Sequence, residues 1–227
     1  MSLSERQFRQ VIRQKIVDSI ALPVPTYTPR DIRLPQVRGK AMVVTGMRRS
    51  GKTTFLWQNL ENSMAAGSPR EALLHFSFED ERLVGMAAED LHCIVEEYYT
   101  LHPELRDKRR ATFFLDEIQE VNGWERFVRR LMDTEQIDIF LSGSSSRLLS
   151  REVATSMRGR GIEVLVHPFS FREYLRHRSA EPHAPVNSLP KARRSMLEKY
   201  FRAYLEEGGF PETQELPSRD RGALLRS

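Results

Sequence analysis

"GMRRSGKTT", residues 46–54, follows the apolar run Ala41-Met42-Val43-Val44, and its reading decides the fold. Gly46-x-x-x-x-Gly51-Lys52-Thr53 matches, at every fixed position, the loop that cradles phosphate between a strand and a helix. The glycines let the backbone turn so that successive N–H groups point at phosphate oxygens. The N-terminus of the following helix adds its partial positive charge. Lys52 can reach the β and γ phosphates, and the Thr53 hydroxyl can complete a Mg²⁺ shell. A chance match in a chain of this length has odds on the order of one in a hundred, and the strand-loop-helix context lowers them. The whole loop, Gly46, Met47, Arg48, Arg49, Ser50, Gly51, Lys52, Thr53 and Thr54, is therefore assigned to a nucleotide site. Its two arginines are unusual. They are expected to be exposed at the loop's tip and paired with Glu79 or Asp80, or else to meet a neighbouring subunit or the γ-phosphate.

Outward from this loop the chain alternates strand and helix. Short apolar runs predict strands at 41–45, 72–78, 111–115, 137–142 and 162–166, continuous as in a parallel sheet covered on both faces. Helices are predicted at 52–65, 88–101, 124–133 and 147–157. The third is the clearest, with Trp124, Phe127, Val128 and Leu131 in one stripe and Asn122 with Glu125 as an N-terminal cap. The alternation predicts an α/β chain, a three-layer αβα sandwich around a parallel five-stranded sheet. Before it, Phe8, Ile12, Ile16 and Ile20 mark an amphipathic helix over 4–20, and the prolines from Pro23 to Pro35 a non-helical connector. After residue 170 come a short helix, a proline-bearing linker at 179–190, and a helix with Met196, Leu197, Tyr200, Phe201, Tyr204 and Leu205 on one side, stopped by Gly208-Gly209. The domain reading is 1–36, N-terminal helix and connector; 37–169, nucleotide-binding core; and 170–227, a small helical lid leading into a further domain.

A second motif supports the first. Thr112-Phe-Phe-Leu115-Asp116-Glu117 is an apolar strand ending in two carboxylates. Asp116 would hold Mg²⁺ through water, and Glu117 would orient the attacking water and take its proton. As a lone feature the pair could equally be a helix cap. Following a phosphate loop by two strands, it is a catalytic pair. The strand at 137–142 would lie between the two nucleotide-binding strands, so Ser142 or Ser144 could sense phosphate or position water, while Ser145 or Ser146 caps the next helix.

Composition narrows the remaining classes. Hydrophobic residues are 40% and charged residues 29%, as in ordinary globular proteins. No stretch approaches the ~18 apolar residues of a membrane span, so no membrane insertion is expected. The polar N-terminus has no apolar signal core, and the single cysteine, Cys93, has no internal partner; both favour the cytoplasm. Cys93 is read as a buried small apolar residue. A net charge of +4 leaves an anionic partner open, but 31 acidic residues are interspersed among the basic clusters.

The sequence resembles the prokaryotic AAA+-type ATPases whose C-terminal half is a domain of unknown function. The resemblance is carried, in the family's order, by "GMRRSGKTTFL", "FEDERL" at 78–83, "FLDEIQEVNGWERFVRRLMD" at 114–133, "LSGSSSRLLSREVATSMRGR" at 141–160, "HPFSFREYL" at 167–175 and "YLEEGGFPE" at 204–212. It implies an ATPase core with a helical lid, using ATP and Mg²⁺. Its Gly-Arg element falls on Gly159-Arg160, making Arg160 the arginine-finger candidate, with Arg158 behind it and a surface salt bridge as the plain alternative. Its glycine-aromatic-proline lid motif falls on Gly209-Phe210-Pro211, where related ATPases let the proline touch adenine. The family's second half would begin where this chain ends.

The function expected is thus a Mg²⁺-dependent ATP hydrolase serving as a switch or motor for a protein or nucleic-acid effector, with copies of the chain itself as further candidate partners. The catalytic set is Glu117, Ser142, Ser144 and Arg160; the metal set is Thr53 and Asp116; Pro211 joins the nucleotide loop. A small-molecule kinase or a nucleic-acid-binding module with a regulatory nucleotide site are the alternatives. Glu117 beside Asp116 favours hydrolysis over the first, and the lack of a helix-turn-helix or aromatic stacking motif weighs against the second.

Overall fold

The computed structural model describes residues 3–35, 37, 39–106, 108–143, 157–214, 216–217 and 220–221. The predicted helix at 147–157, the serines at 144–146 and the chain's last six residues therefore fall wholly or largely outside the described residues. The chain divides into two compact units. One comprises residues 1–25, 34–46 and 52–165; the other comprises 26–33, 47–51 and 166–227.

The first unit is built on five parallel strands: β1 (Ala41–Thr45), β2 (Leu73–Ser77), β3 (Ala111–Asp116), β4 (Ile137–Ser142) and β5 (Gly161–Leu165). Their order across the sheet is β2-β3-β4-β1-β5. All pairings are parallel, so every strand ends on the same edge. β1 is buried throughout, and β3 nearly so, as their apolar runs require. β4 and the edge strand β5 depart from the expected two-sided cover: Asp138 and Glu163 are exposed, and Leu165 is 46% exposed. Their polar residues alternate because one face meets water.

Among the described residues of this unit, four α-helices accompany the sheet: α1 (Leu3–Ala21), α2 (Lys52–Ala65), α3 (His92–Leu101) and α4 (Trp124–Thr134). The four-residue spacing of α1 buries Phe8, Ile12 and Ile16 in the main core. Arg9 pairs with Glu96 and Glu97 of α3, and Lys15 with Asp80, so a polar border surrounds that apolar stripe. α4 buries Trp124, Phe127, Val128 and Leu131 as expected. Its start differs from expectation: Gly123 is the N-cap, at φ 82°, and no side chain caps the helix. A left-handed turn at Gly123 replaces the Asn122–Glu125 cap because glycine reaches that conformation without steric penalty. Likewise the helix expected over 88–101 opens as a tight turn, Ala88–Leu91, before α3 proper. Cys93 is buried, as read. No helix among the described residues is long and apolar enough to cross a membrane.

The second unit carries α5 (Phe171–His177) and α6 (Lys191–Glu207). Ser170 and Glu173 form a reciprocal capping box at the start of α5. Phe169, Tyr174, Leu175, Ala180 and Leu197 form its core, with Phe171, Tyr200 and Tyr204 packed against it. The apolar side of α6 is only partly covered: Phe201 is 45% and Leu205 66% exposed. Gly209 is fixed by space. A Cβ there would lie 2.2 Å from the Phe169 carbonyl oxygen, which no side chain tolerates. In return Phe169 N–H donates to the Gly209 carbonyl at 2.6 Å.

One buried base links the first unit's stability to pH. His75 on β2 stacks on Trp57 at 4.2 Å between ring centroids, and its Nε2 has no hydrogen-bond partner among the described residues. Burial, then the charges of Arg70 and Lys15, lower its pKa to about 4. The unfolded chain, with an ordinary histidine near 6.5, binds the proton more tightly. Stability should therefore be full above about pH 6.5 and fall as the pH drops toward 4. The expected loss is about 2–3 kcal/mol between pH 7 and pH 4.5, and denaturant unfolding of the parental chain and of His75→Phe at both values should show that component missing from the variant.

Candidate functional site

Because the strands are parallel, the residues following β1, β3 and β4 emerge together. Within the first unit this edge gathers Lys52 and Thr53 at the start of α2, Asp116 and Glu117 at the end of β3, and Ser142 at the end of β4. β4 lies between β1 and β3, as the sequence predicted. Val44 is level with Ser142, and Leu115 with Leu141, so Ser142 stands one step along beside Asp116.

Asp116 is 3% exposed. The Ser142 hydroxyl donates to its Oδ1, and the Thr53 hydroxyl hydrogen-bonds it as well. Burial pushes the Asp116 carboxyl up, against the lowering pull of those two hydrogen bonds and of the Lys52 charge. Ser142 also accepts the Glu117 backbone N–H at 3.2 Å. Its single proton is thus committed to Asp116. The residue expected to sense phosphate acts in this state as a tie between two strand ends. Ser144, the other sensing candidate, lies outside the described residues.

Glu117 occupies the left-handed region, at φ 54° and ψ 42°. For a residue with a Cβ this costs roughly 1–2 kcal/mol. The sharp turn ends β3 and starts the tight turn Ile118–Glu120. The Glu117 carboxylate is held at both oxygens: Oε1 lies 3.8 Å from Lys52 Nζ, and Oε2 accepts from Gln119 Nε2. Lys52 is 7% exposed and Glu117 16% by side chain. Neither the lysine contact nor the Gln119 bond follows from sequence spacing alone. The only available signal was Gln119's place two residues after Glu117.

The phosphate-loop tip, Met47–Gly51, belongs to the second unit. Arg49 sits at φ 67°, and its Nε lies 3.5 Å from Glu212. Of the two expected acids, Glu79 and Asp80, the second is engaged by Lys15 and Arg82. Ser50 is fully buried, and its hydroxyl has no hydrogen-bond partner among the described residues. Gly51 is at φ 94°, and a Cβ on it would lie 3.3 Å from Arg30 Nη1 and 3.7 Å from Pro211 Cγ. Pro211 therefore stands beside the loop tip.

Arg30 escaped the sequence reading. It is one of two arginines in the proline-rich connector, with no motif to mark it. Its side chain is 3% exposed and bonds the Ser50 carbonyl at 2.9 Å, the Glu173 carboxylate at 3.1 Å and the His167 carbonyl, over the Phe169 ring at 5.0 Å. Burial alone would push the Glu173 carboxyl up. The N–H groups of Asp31 and Ser170, with the Arg30 charge, hold it below the usual range.

Arg160 lies elsewhere. It precedes β5, and its carbonyl accepts the Ala41 N–H at 2.8 Å, at the strands' opposite end. Five residues of strand at about 3.3 Å each put it roughly 16 Å from the edge bearing Gly46. Its guanidinium pairs with Asp133 at 2.6 Å, both partly exposed. Within one chain Arg160 is a surface ion-pair residue, at the opposite end of the sheet from Asp116 and Ser142. Within the chain this is the surface salt bridge, the plain alternative to the arginine-finger role.

A family profile described as "AAA domain" matches residues 38–175, well over half of the chain. The chain belongs to the AAA domain family. The match runs from just before β1 through α5 and takes in the loop at 46–54 and the β3 and β4 ends. The AAA domain is also 37% identical over 183 residues to the uncharacterized protein MJ1544 of Methanocaldococcus jannaschii, covering 81% of this chain and 38% of that protein. It is 31% identical over 170 residues to an uncharacterized protein of Haemophilus influenzae, covering 74% and 39%. The chain thus spans about two fifths of the length of these relatives. Among solved structures, the S. cerevisiae Hsp104:casein complex aligns over 95% of this chain and 37% of that chain, at TM-score 0.50 and 16% identity, a likeness of fold.

The Ser142 tie has a measurable weight. Ser142→Ala would leave the buried Asp116 carboxylate short of a donor and the Glu117 N–H short of an acceptor. A loss of about 1–3 kcal/mol is expected, read from urea unfolding of the AAA domain and its variant at pH 7.

Proposed function

We propose that this domain binds Mg·ATP and hydrolyses it. The observation that carries the reading is the convergence, on one sheet edge, of Lys52 with Glu117 at 3.8 Å and of Thr53 and Ser142 with the buried Asp116. A buried carboxylate whose neutral form is favoured by desolvation is well suited to a cation, which would favour the charged form. Among the described residues no cluster of three or more histidine, cysteine or acidic side chains could hold a metal unaided. Thr53 and Asp116 would supply part of the shell, and phosphate oxygens and water the rest, as Mg²⁺ chemistry prefers. At the loop tip, the buried and unpartnered Ser50 hydroxyl and the left-handed Gly51 fit a backbone cradle for phosphate.

Bound Mg²⁺ would polarise the phosphate and neutralise developing charge. The chain's own residues would do the rest. Lys52 places a full positive charge on the terminal phosphates. Glu117 orients a water and accepts its proton. Asp116, fixed by Ser142, anchors the cation. We read hydrolysis as a switch driving an effector that the longer relatives' remaining length would contact. Arg160, at the opposite sheet end, would contribute only to the site of a second copy.

Two substitutions separate binding from chemistry. Lys52→Ala should weaken ATP binding at least tenfold by calorimetry; unchanged binding would remove the nucleotide site. Glu117→Gln should keep Mg·ATP binding but lose phosphate release about a hundredfold; parental turnover would leave Glu117 a structural turn residue.

The base contact rests on Pro211, which stands beside Gly51. Pro211→Gly should weaken ATP more than inorganic triphosphate. Equal losses would return Pro211 to the role of a proline closing the helix end.

A further inference from the structure

The Glu117 carboxylate is shared unequally between its two neighbours. Lys52 Nζ is 3.8 Å from Oε1, within ion-pair range but too far for a hydrogen bond. Gln119 Nε2 makes a close hydrogen bond to Oε2. An ionised carboxylate only accepts, so the amide must present its NH₂ side to Glu117. That orientation leaves Gln119 Oε1 buried without a hydrogen-bond partner among the described residues. The amide is thus placed to serve the carboxylate at the expense of its own hydrogen bonding. The backbone makes this possible: the left-handed Glu117 starts the tight turn Ile118–Glu120, which folds Gln119 back over the carboxylate.

We propose that Gln119 is a positioning residue that holds the Glu117 carboxylate off Lys52, keeping the lysine available to phosphate and the carboxylate available to water. Without the amide, Glu117 closes on Lys52 and forms a full charge-assisted hydrogen bond. The incoming triphosphate then has to break that pair, and the general base is displaced from the water it must activate. The inference rests on the ATP reading above and adds to it a residue that phosphate-loop and strand-end motifs leave out.

The test is a double-substitution cycle read by two measurements: calorimetric binding of a non-hydrolysable ATP analogue with Mg²⁺, and steady-state phosphate release. Gln119→Met keeps length and removes the donor; Gln119→Leu repeats the test with a second shape, and both are matched to the parental chain by unfolding midpoint. Each should weaken the analogue several-fold and lower kcat at least tenfold. In the Glu117→Gln background, where no carboxylate remains to close on Lys52, the same substitutions should change analogue binding less than twofold. Equal weakening in both backgrounds, or no change in either measurement, would overturn the positioning role. Absence of analogue binding by the parental chain would instead overturn the ATP reading itself, whatever the variants do.

Discussion

A carboxylate almost sealed from water sits where three parallel strands end, and much of the site's geometry follows from the need to satisfy it. Asp116 is 3% exposed and is met by hydroxyls from Ser142 and Thr53. A buried polar group left unpaired costs roughly 1–3 kcal/mol, so β4 must end level with β3 and α2 must begin beside it. The Ser142 hydroxyl donates to Asp116 and accepts from the Glu117 backbone, fixing the left-handed turn that aims the Glu117 side chain. The strand order β2-β3-β4-β1-β5 is what makes this possible, since it sets β4 between the strand bearing the loop and the strand bearing the acids.

The second unit is organised on a comparable buried charge. Arg30 joins connector, loop tip and the start of α5 through Ser50, His167 and Glu173. A pair this buried gains little net stability from its charges, because desolvation opposes their attraction. Its value is in position: the guanidinium fork has one geometry, and that geometry holds the carbonyl of Ser50 in place. Glu173 is in turn saturated by the Ser170 and Asp31 N–H groups, at 2.8 Å each. Gly51 is required by its left-handed backbone, at φ 94°, and Gly209 by the Phe169 carbonyl pressed against it.

Legibility in the sequence tracked the range of the interaction. The phosphate loop, the paired carboxylates and the strand positions were readable because each is a local pattern of a few residues with one physical demand. The short helix expected after residue 170 formed, and the structure adds a Ser170–Glu173 capping box at its start. Asn122–Glu125 offers the same kind of local signal, and there Gly123 took the cap by a left-handed turn instead. Arg49 beside Glu212 and Arg160 beside Asp133 were not readable, since ion pairs across long separations leave no spacing.

By itself the sequence determined the α/β class, the five strands, the loop at 46–54 and the identity of the two acids after β3, because periodicity and backbone demands act within a dozen residues. Tertiary structure alone decided how those pieces are used. Register made Ser142 a tie on Asp116, the direction of β5 carried Arg160 to the opposite end of the sheet, and burial set Arg30 against Ser50, His167 and Glu173. The physical reason is that hydrogen-bond satisfaction and desolvation depend on which distant groups share a site, and those neighbours exist only once the chain has folded.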